Sequence, residues 1–417
     1  MPGVTTAPNA NSTGNSEPEI AFRNDGTVAV DGLAWLPFQL DVWTGQFGTT
    51  PSYFGAVDAN LQNVGTGRTR LGSEDTDVKY TSAGTMLVAD LDLIINRNSR
   101  GPQLGVNVTR CPAGATGPGG CTPIFLDTAG ADRPWLTTAG TDAWVAYHDA
   151  GNSRLIRVMR STDDGQTWQA AASPILGQGT DTGAATADNE LGPIVADPGT
   201  GTVYEVYATG DAQTKAKGGS FDNIFVSRST DGAKHWTTTL VFHAPSGTGL
   251  DNIFPALAVD PVTHVVYAAW TDQHTVSVSQ SDDAGVTWSA PATVSTIQTT
   301  VMPWVAARNG KVDVVYYGST AASPGEAAVR GLERLRLPVL QRCMDRQAGQ
   351  QHTQPGWRDL PERLGVPQQH QPGTTRPVPG RGGPADRQGS DHLHRLHDRH
   401  LDERRCHERT AGDRAGI

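Results

Sequence analysis

Six segments of the chain share one pattern of apolar and polar positions, in which a short apolar strand, a turn and a second apolar strand follow one another. Five of them open with an aligned proline, and the second has a threonine at that position. The six aligned positions are separated by 58, 58, 59, 62 and 48 residues. The aligned residues are Pro18, Thr76, Pro134, Pro193, Pro255 and Pro303. Proline at the start of a strand removes no ladder hydrogen bond, and the Asn-Gly and Asp-Pro pairs between the strands are typical of turns. The pattern predicts an all-β repeat architecture.

A second motif, Ser-x-Asp-x-(Gly/Ala)-x-x-Trp, follows three of the predicted hairpins. We expect its aspartate to accept backbone N–H groups across a tight turn. The glycine suits a positive φ, and the tryptophan offers apolar area for packing against a neighbouring repeat. The three copies are Ser161, Asp163, Gly165 and Trp168; Ser229, Asp231, Ala233 and Trp236; and Ser281, Asp283, Gly285 and Trp288.

These motifs resemble the Asp-box (BNR) repeats of sialidase-like β-propellers, and the resemblance covers residues 17–320. It implies that each hairpin is the start of a propeller blade and that the Asp boxes lie at the blade rim, away from the ligand face. Six modules in frame, plus a seventh in the shifted frame described below, give seven blades for the parent protein, with six as the alternative. In this chain the last blades are expected to be missing or scrambled.

The composition changes near residue 329. Residues 1–328 hold 17 Lys and Arg against 32 Asp and Glu, whereas residues 329–417 hold 16 Arg, 11 acidic residues and seven of the 12 His. Such a tail has too little apolar surface to fold. Its codons permit a shifted frame in which residues 381–398 read AVDPLTGKAAIIYTDST, close to AVDPVTHVVYAAWTD at residues 258–272. We therefore expect a disordered leader over residues 1–16, propeller blades over residues 17–328 and a frameshifted, disordered tail over residues 329–417.

The histidines of the tail look like a metal cluster, but the shifted frame accounts for them and no metal site is predicted there. They are His392, His394, His397 and His400. Cys111 and Cys121 enclose a Pro/Gly-rich loop whose length suits a local disulfide, with two free thiols as the alternative. Because disulfides persist in exported proteins, we expect an extracellular location, although this chain begins without a signal peptide.

In the sialidase-like propellers that these motifs resemble, the residues that contact a ligand lie just before the first strand and just after the second strand of each blade. Carried over, the rule implies an acidic face with Arg133 as its one well-placed arginine. The catalytic candidates are Asp75, Asp132, Arg133, Glu190 and Tyr317. Each carboxylate is weighed against a plain solvated residue, and Tyr317 against packing within a strand. Further acidic residues expected there include Glu17, Glu19, Asp31, Glu74, Asp90, Asp92, Asp149, Asp211, Asp251 and Asp272.

Sialidases hold an anionic sugar with three arginines, which match a carboxylate, and an acidic face disfavours such a ligand. We therefore expect a binding module for a carbohydrate or a cell-surface protein. The alternative is a glycoside hydrolase, either an exo-α-sialidase by family or a neutral-polysaccharide hydrolase that uses two carboxylates. No cofactor is expected, although Ca²⁺ held by carboxylates is compatible with this face. The net charge of -10 argues against nucleic acid, and no run approaches the ~18 apolar residues of a membrane span.

Overall fold

The structure, a computed structural model, describes residues 15–34, 39–57, 68–96, 102–127, 131–149, 155–175, 189–210, 221–250 and 253–319. Within these ranges the chain forms 23 strands and one 3-10 turn, Pro118–Gly120, so the all-β prediction is confirmed. No helix in the described ranges is long and apolar enough to cross a bilayer. The predicted tail, its shifted frame and its histidines lie outside these ranges.

Strands follow the chain in successive antiparallel sheets. Sheet 1 contains β1 (Asn15–Ser16), β2 (Ile20–Phe22), β3 (Thr27–Ala34), β4 (Gln39–Gln46) and β5 (Ser52–Ala56). Sheet 2 contains β6 (Arg68–Tyr80), β7 (Met86–Asn96), β8 (Pro102–Cys111) and β9 (Thr122–Asp127). Sheet 3 contains β10 (Ala131–Ala139), β11 (Asp142–Asp149), β12 (Ile156–Ser161) and β13 (Gln169–Ala170).

The second half of the described chain repeats this order. Sheet 4 contains β14 (Asn189–Ala196), β15 (Val203–Thr209), β16 (Asn223–Ser229) and β17 (Thr237–His243). Sheet 5 contains β18 (Ala256–Val259), β19 (Val266–Thr271), β20 (Thr275–Ser281) and β21 (Ala292–Thr296). Sheet 6 contains β22 (Thr299–Arg308) and β23 (Lys311–Ser319) within the described residues.

Each of the six repeated segments in the sequence forms the first hairpin of a sheet. The β1 strand is an addition to that plan, because Asn15 and Ser16 pair with Ala34 and Leu33 of β3. The end of the predicted disordered leader is therefore ordered as an extra edge strand. A strand of two residues carries no apolar pattern of its own, so its pairing depends on the exposed edge that β3 offers beyond β2.

The sheets pack face to face in chain order. An apolar cluster fills each of the five interfaces between consecutive sheets. The first strand of each sheet also contacts the first strand of the next one, from β2 through β6, β10, β14 and β18 to β22. Short antiparallel sheets joined in this way, with their first strands innermost, have the blade arrangement of a β-propeller. The innermost strands therefore line a central axis.

The three Ser-x-Asp motifs form the turns after the third strands of sheets 3, 4 and 5. In each turn the Asp carboxylate accepts the backbone N–H of the residue four positions on, at 2.9 Å for Asp163, 3.0 Å for Asp231 and 2.8 Å for Asp283. The motif tryptophan packs on the apolar cluster shared with the preceding sheet. Since first and third strands run in the same direction, these turns lie at the end of the sheets opposite the starts of the first strands.

A disulfide joins Cys111 at the end of β8 to Cys121. The loop that it closes reaches sheet 1, where a Cβ added at Gly55 would lie 2.5 Å from Pro118 Cδ. Gly55 has a φ of 139°, and only its missing side chain lets the loop approach so closely. The loop thereby covers the outer edge of sheet 1 as well as its own sheet.

Candidate functional site

The residues before four of the aligned prolines share an uncommon backbone conformation. Glu17, Arg133, Phe254 and Met302 have φ values of 49°, 42°, 52° and 52°. Non-glycine residues adopt positive φ at a cost of about 1–3 kcal/mol, and such residues collect at functional sites. Glu17 and Phe254 precede the first strands of sheets 1 and 5, and Arg133 and Met302 lie near the beginning of the first strands of sheets 3 and 6. We call this end of the sheets the channel mouth.

Bulges explain why these side chains leave the plane of their sheets. In sheets 3, 4 and 6 the pairing of the first hairpin skips two residues, between Asp132 and Trp135, between Leu191 and Ile194, and between Val301 and Trp304. The skipped pair includes the aligned proline, which lacks an N–H for the ladder. A bulge bends the strand and re-aims its side chains. In sheet 2 the skipped residues are Glu74 and Asp75, so Asp75, not Thr76, takes the place of the proline.

Arg133 is the centre of the channel mouth. Its Nη2 lies 2.9 Å from Asp75 Oδ1 of sheet 2, and its Nη1 lies 3.4 Å from Glu17 Oε2 of the segment that enters sheet 1. Its guanidinium carbon is 4.4 Å above the ring centroid of Phe254, which precedes sheet 5. A cation over an aromatic face is attracted by the ring quadrupole. Residues associated with four sheets therefore meet at one side chain, which we call the Arg133 cluster.

Three carboxyl groups around Arg133, those of Glu17, Asp132 and Glu74, have raised pKa values. Burial, followed by repulsion from Asp75, raises the pKa of Glu17 to about 8. Burial also raises the pKa of Asp132 and of Glu74, and repulsion from Asp75 adds to both shifts. Glu190 acts on the same guanidinium through its charge. The cluster thus places a protonated carboxyl beside ion-paired and repelling carboxylates.

Three aromatic rings meet beside the cluster. The Trp135 ring centroid lies 5.7 Å from that of Phe254 and 5.7 Å from that of Trp304 in sheet 6. We call these three residues the aromatic hub. Trp135 is 5% exposed, and its indole nitrogen has no hydrogen-bond partner among the described residues. Phe254 and Trp304 are half-buried, so the hub combines a closed interior with apolar rings at its edge.

A deeper polar layer joins sheets 1, 2 and 3. Asp31 is fully buried in β3, where its carboxylate accepts Thr76 Oγ1 at 2.8 Å and the Glu19 N–H at 2.9 Å. Burial raises the pKa of Asp31 to about 7 despite these bonds. Asp77 accepts the Leu136 N–H at 2.8 Å and pairs with Lys79. These contacts hold the inner strands of the three sheets together.

The expected positions of some acidic residues on the ligand face are wrong. Asp31 lies inside β3, and Asp90 and Asp92 lie inside β7, all fully buried. Asn107 Nδ2 donates to Asp92 at 2.5 Å and Ser73 Oγ donates to Asp90 at 2.8 Å. The first hairpins of sheets 1 and 2 are longer than their apolar patterns, so these aspartates come before the strand ends. Asp211 and Asp251 lie outside the described residues.

Tyr317 lies on β23, half-buried and opposite Val301 of β22. Its neighbour Tyr316 is buried and donates from Oη to Ser295 at 2.6 Å, which is a packing role. Asp75 and Arg133 are in direct contact, whereas Asp132 and Glu190 interact with Arg133 through their charges. Sequence reasoning missed the aromatic hub, although its members flank three of the aligned prolines.

The described residues contain no group of three or more His, Cys, Asp or Glu side chains that could hold a metal ion. The calcium ion considered from the sequence therefore has no assigned residues. The chemistry available at the mouth is that of carboxyl groups, one guanidinium and aromatic rings.

The chain is only distantly similar to proteins of known structure. No protein-family model and no curated protein matches the sequence. Among solved structures, the chain is similar to a Hadza microbial sialidase, with 13% identity, a TM-score of 0.47, and 75% of this chain and 65% of that one covered. It is also similar to an α-L-arabinofuranosidase from Fusarium graminearum, with 12% identity, a TM-score of 0.47, and 73% of this chain and 88% of that one covered. The Aleuria aurantia lectin is similar over the same shares of the two chains, with 10% identity and a TM-score of 0.43. The chain thus spans less than two thirds of the length of that sialidase, and at such identities none of these names transfers a function.

Proposed function

We propose that this chain is an exported propeller of the Asp-box, sialidase-like type that binds a glycan at the channel mouth. The observation that carries the proposal is the Arg133 cluster, in which carboxyl groups from sheets 1 and 2 contact a guanidinium of sheet 3 that lies over the Phe254 ring. Concave sites that combine aromatic rings with a few convergent polar groups are typical of small-ligand binding. The disulfide between Cys111 and Cys121 supports export.

The aromatic hub also supports a blade number. Trp135 belongs to sheet 3 and Trp304 to sheet 6, and their rings meet at 5.7 Å. The third and sixth sheets face each other directly in a ring of six, whereas in a ring of seven the third sheet faces the gap between the sixth and seventh. We therefore favour six blades over the seven inferred from the sequence.

Arg133→Ala is expected to abolish glycan binding, because Glu17 and Asp75 then lose their counter-ion and Phe254 loses its stacked partner. Loss of a charged pair in a binding site costs about 2–5 kcal/mol, a factor of at least about 30 in Kd. Isothermal titration calorimetry with oligosaccharides from a glycan screen measures it. Arg308→Ala, an exposed arginine at the opposite end of β22, is the matched control. Equal loss in both variants, or none in Arg133→Ala, contradicts the proposed site.

A glycoside hydrolase is the second candidate, and the raised pKa of Glu17 supports it. Burial makes Glu17 a neutral acid near pH 7, while Asp75 is paired with Arg133; carboxyl groups with different protonation can serve as acid and base. Glu17 and Asp75 both contact the Arg133 guanidinium, whereas the catalytic carboxyls of glycosidases are separated by ~5–9.5 Å to leave room for the substrate. A second carboxylate, Asp132 or Glu190, would have to complete the pair.

Hydrolysis is tested with aryl glycosides of neutral sugars and with a fluorogenic sialoside. We expect no release of sialic acid, since the one arginine of the described cluster is already held by two carboxyl groups. Turnover of a neutral glycoside that is lost in Glu17→Gln and retained in Arg308→Ala would establish the hydrolase. No turnover of either substrate, with glycan binding intact, would establish a binding module.

A further inference from the structure

The disulfide lies at the interface between sheets 1 and 2. Cys111 is 2% exposed and belongs to the apolar cluster that the two sheets share. Ala115 and Cys121 of the loop pack against the same cluster, and so does Phe54 of β5. We call residues 111–121 the strap. The cross-link therefore fixes part of the apolar contact between sheets 1 and 2, in addition to closing a loop of sheet 2.

The strap follows the backbone of β5 closely. A Cβ added at Gly55 would lie 2.5 Å from Pro118 Cδ and 2.6 Å from its Cγ. Gly117 lies beside the same strand, since a Cβ added there would be 3.7 Å from the Phe54 carbonyl oxygen. No side chain fits between Gly55 and the proline ring, so the close approach requires glycine at this position. The strap is thus fitted to β5.

The β5 strand has few other contacts to keep it in place. Among the described strands it pairs only with β4, and this pairing shifts register between Val42 and Trp43. A short strand at the edge of a sheet is the kind of element that opens locally at low cost. The inner strand β3 differs, because Thr76 Oγ1 of sheet 2 donates to Asp31 at 2.8 Å. The outer part of sheet 1 therefore has the strap as its main link to sheet 2.

The strap itself depends on its cross-link. Four of its eleven residues are glycine, and glycine loses more conformational freedom on ordering than any other residue. Its turns are held by bonds inside the loop, such as those from the Gly120 N–H to the Gly117 carbonyl at 3.1 Å and from the Cys121 N–H to the Pro118 carbonyl at 3.0 Å. A disulfide removes much of the freedom of such a loop in advance. Without it, the ordered strap would be one of many loop conformations.

We propose that residues 111–121 form a redox-sensitive strap, which holds β5 against sheet 2 while the disulfide is closed and releases β5 when the disulfide is reduced. The reductant is an external thiol. Its thiolate attacks Sγ of the half-buried Cys121, the S–S bond breaks, and its electron pair passes to Cys111 Sγ, which takes up a proton. A second thiol displaces Cys121 as its thiol, and the two external thiols leave joined as a disulfide. The outer edge of sheet 1 is then complete only in an oxidising compartment.

Hydrogen–deuterium exchange followed by mass spectrometry tests the strap on the full chain. The wild type is compared with the double variant Cys111→Ser, Cys121→Ser. We expect amide exchange at residues 52–56 to rise at least about tenfold, because the freed strap no longer holds β5. Exchange in β3 and in β15 should change by less than about twofold. Wild type treated with dithiothreitol should match the double variant. Unchanged exchange at β5, or an equal rise in β3 and β15, overturns the proposal.

A second pair of variants moves the strap while the disulfide stays closed. Gly55→Ala pushes Pro118 away and should also raise exchange at β5. Alanine at a φ of 139° strains its own backbone, so Gly55→Ala is combined with Pro118→Ala, which removes the two ring atoms that the new methyl group would meet. The combination should recover at least about half of the lost protection. Gly114→Ala, with a φ of 85° and nothing within 4 Å, is the control and should leave β5 unchanged. No recovery, or an equal rise in the control, contradicts the strap.

Discussion

Replacing Trp236 with alanine is expected to lower the free energy of unfolding by about 4 kcal/mol. The Trp236 side chain is 2% exposed between sheets 3 and 4, and its indole N–H donates to the Ala172 carbonyl at 2.8 Å. The substitution removes this bond and leaves a cavity that rigid strands on both sides cannot close. Urea denaturation monitored by circular dichroism measures the loss. An unchanged m-value would show that the shift in midpoint reports a change in the free energy of unfolding.

Trp288→Ala is the matched control, because Trp288 holds the same motif position in sheet 5. It is half-buried, and its indole nitrogen has no partner among the described residues. We expect a loss of about 2 kcal/mol, since less apolar surface returns to water and no hydrogen bond is removed. Equal losses at the two positions would show that the motif, rather than the burial of its tryptophan, sets the stability.

Stability is expected to fall as the pH rises from 4 to 8, and Asp31 is expected to cause a large part of the change. Burial raises its folded pKa from 3.8 to about 7, so between these values the folded state holds a proton that the unfolded state has released. Stability is then fully present below the unfolded pKa and is lost as the pH rises toward the folded pKa. Three pKa units correspond to about 4 kcal/mol at most. Glu17 and Glu19, each with a pKa raised to about 8, act in the same direction.

Asp31→Asn tests this assignment, because asparagine keeps the shape and does not titrate. We compare the free energy of unfolding of the variant with that of the wild type. The difference should favour the variant by about 2–4 kcal/mol more at pH 8 than at pH 4. Below pH 4 both proteins should lose stability, since hydrogen bonds lower the pKa of Asp283 to about 2 and that benefit disappears on protonation. Thermal unfolding across pH 3–9 provides the measurement. Parallel curves for the two proteins would contradict the role of Asp31.

The sequence predicted the local architecture well because local chemistry determines it. The aligned prolines and turn residues predicted all six first hairpins, since proline and turn geometry act within a few residues. The prediction slipped by one residue in sheet 2, where no proline marks the bulge and Asp75 takes its place. It also ended the first hairpins of sheets 1 and 2 too early, which put Asp31 and Asp90 on the wrong surface.

The site was harder to predict, because its contacts join residues far apart in the chain. Arg133 was singled out from its position before a proline, but its pairing with Glu17 and Asp75 depends on how the sheets pack. The aromatic hub requires Trp135 of sheet 3 and Trp304 of sheet 6 to approach each other. No periodicity within a single repeat encodes that approach.

The aromatic hub bears on how a polymer would meet the proposed glycan site. Rings from sheets 3, 5 and 6 touch one another at the inner strands, so they stand in the path of a chain that would thread between the sheets. On the proposed function, we therefore expect the protein to take hold of a terminal unit or a short projecting branch. Its preference should then follow the number of chain ends in a sample rather than the total mass of polymer.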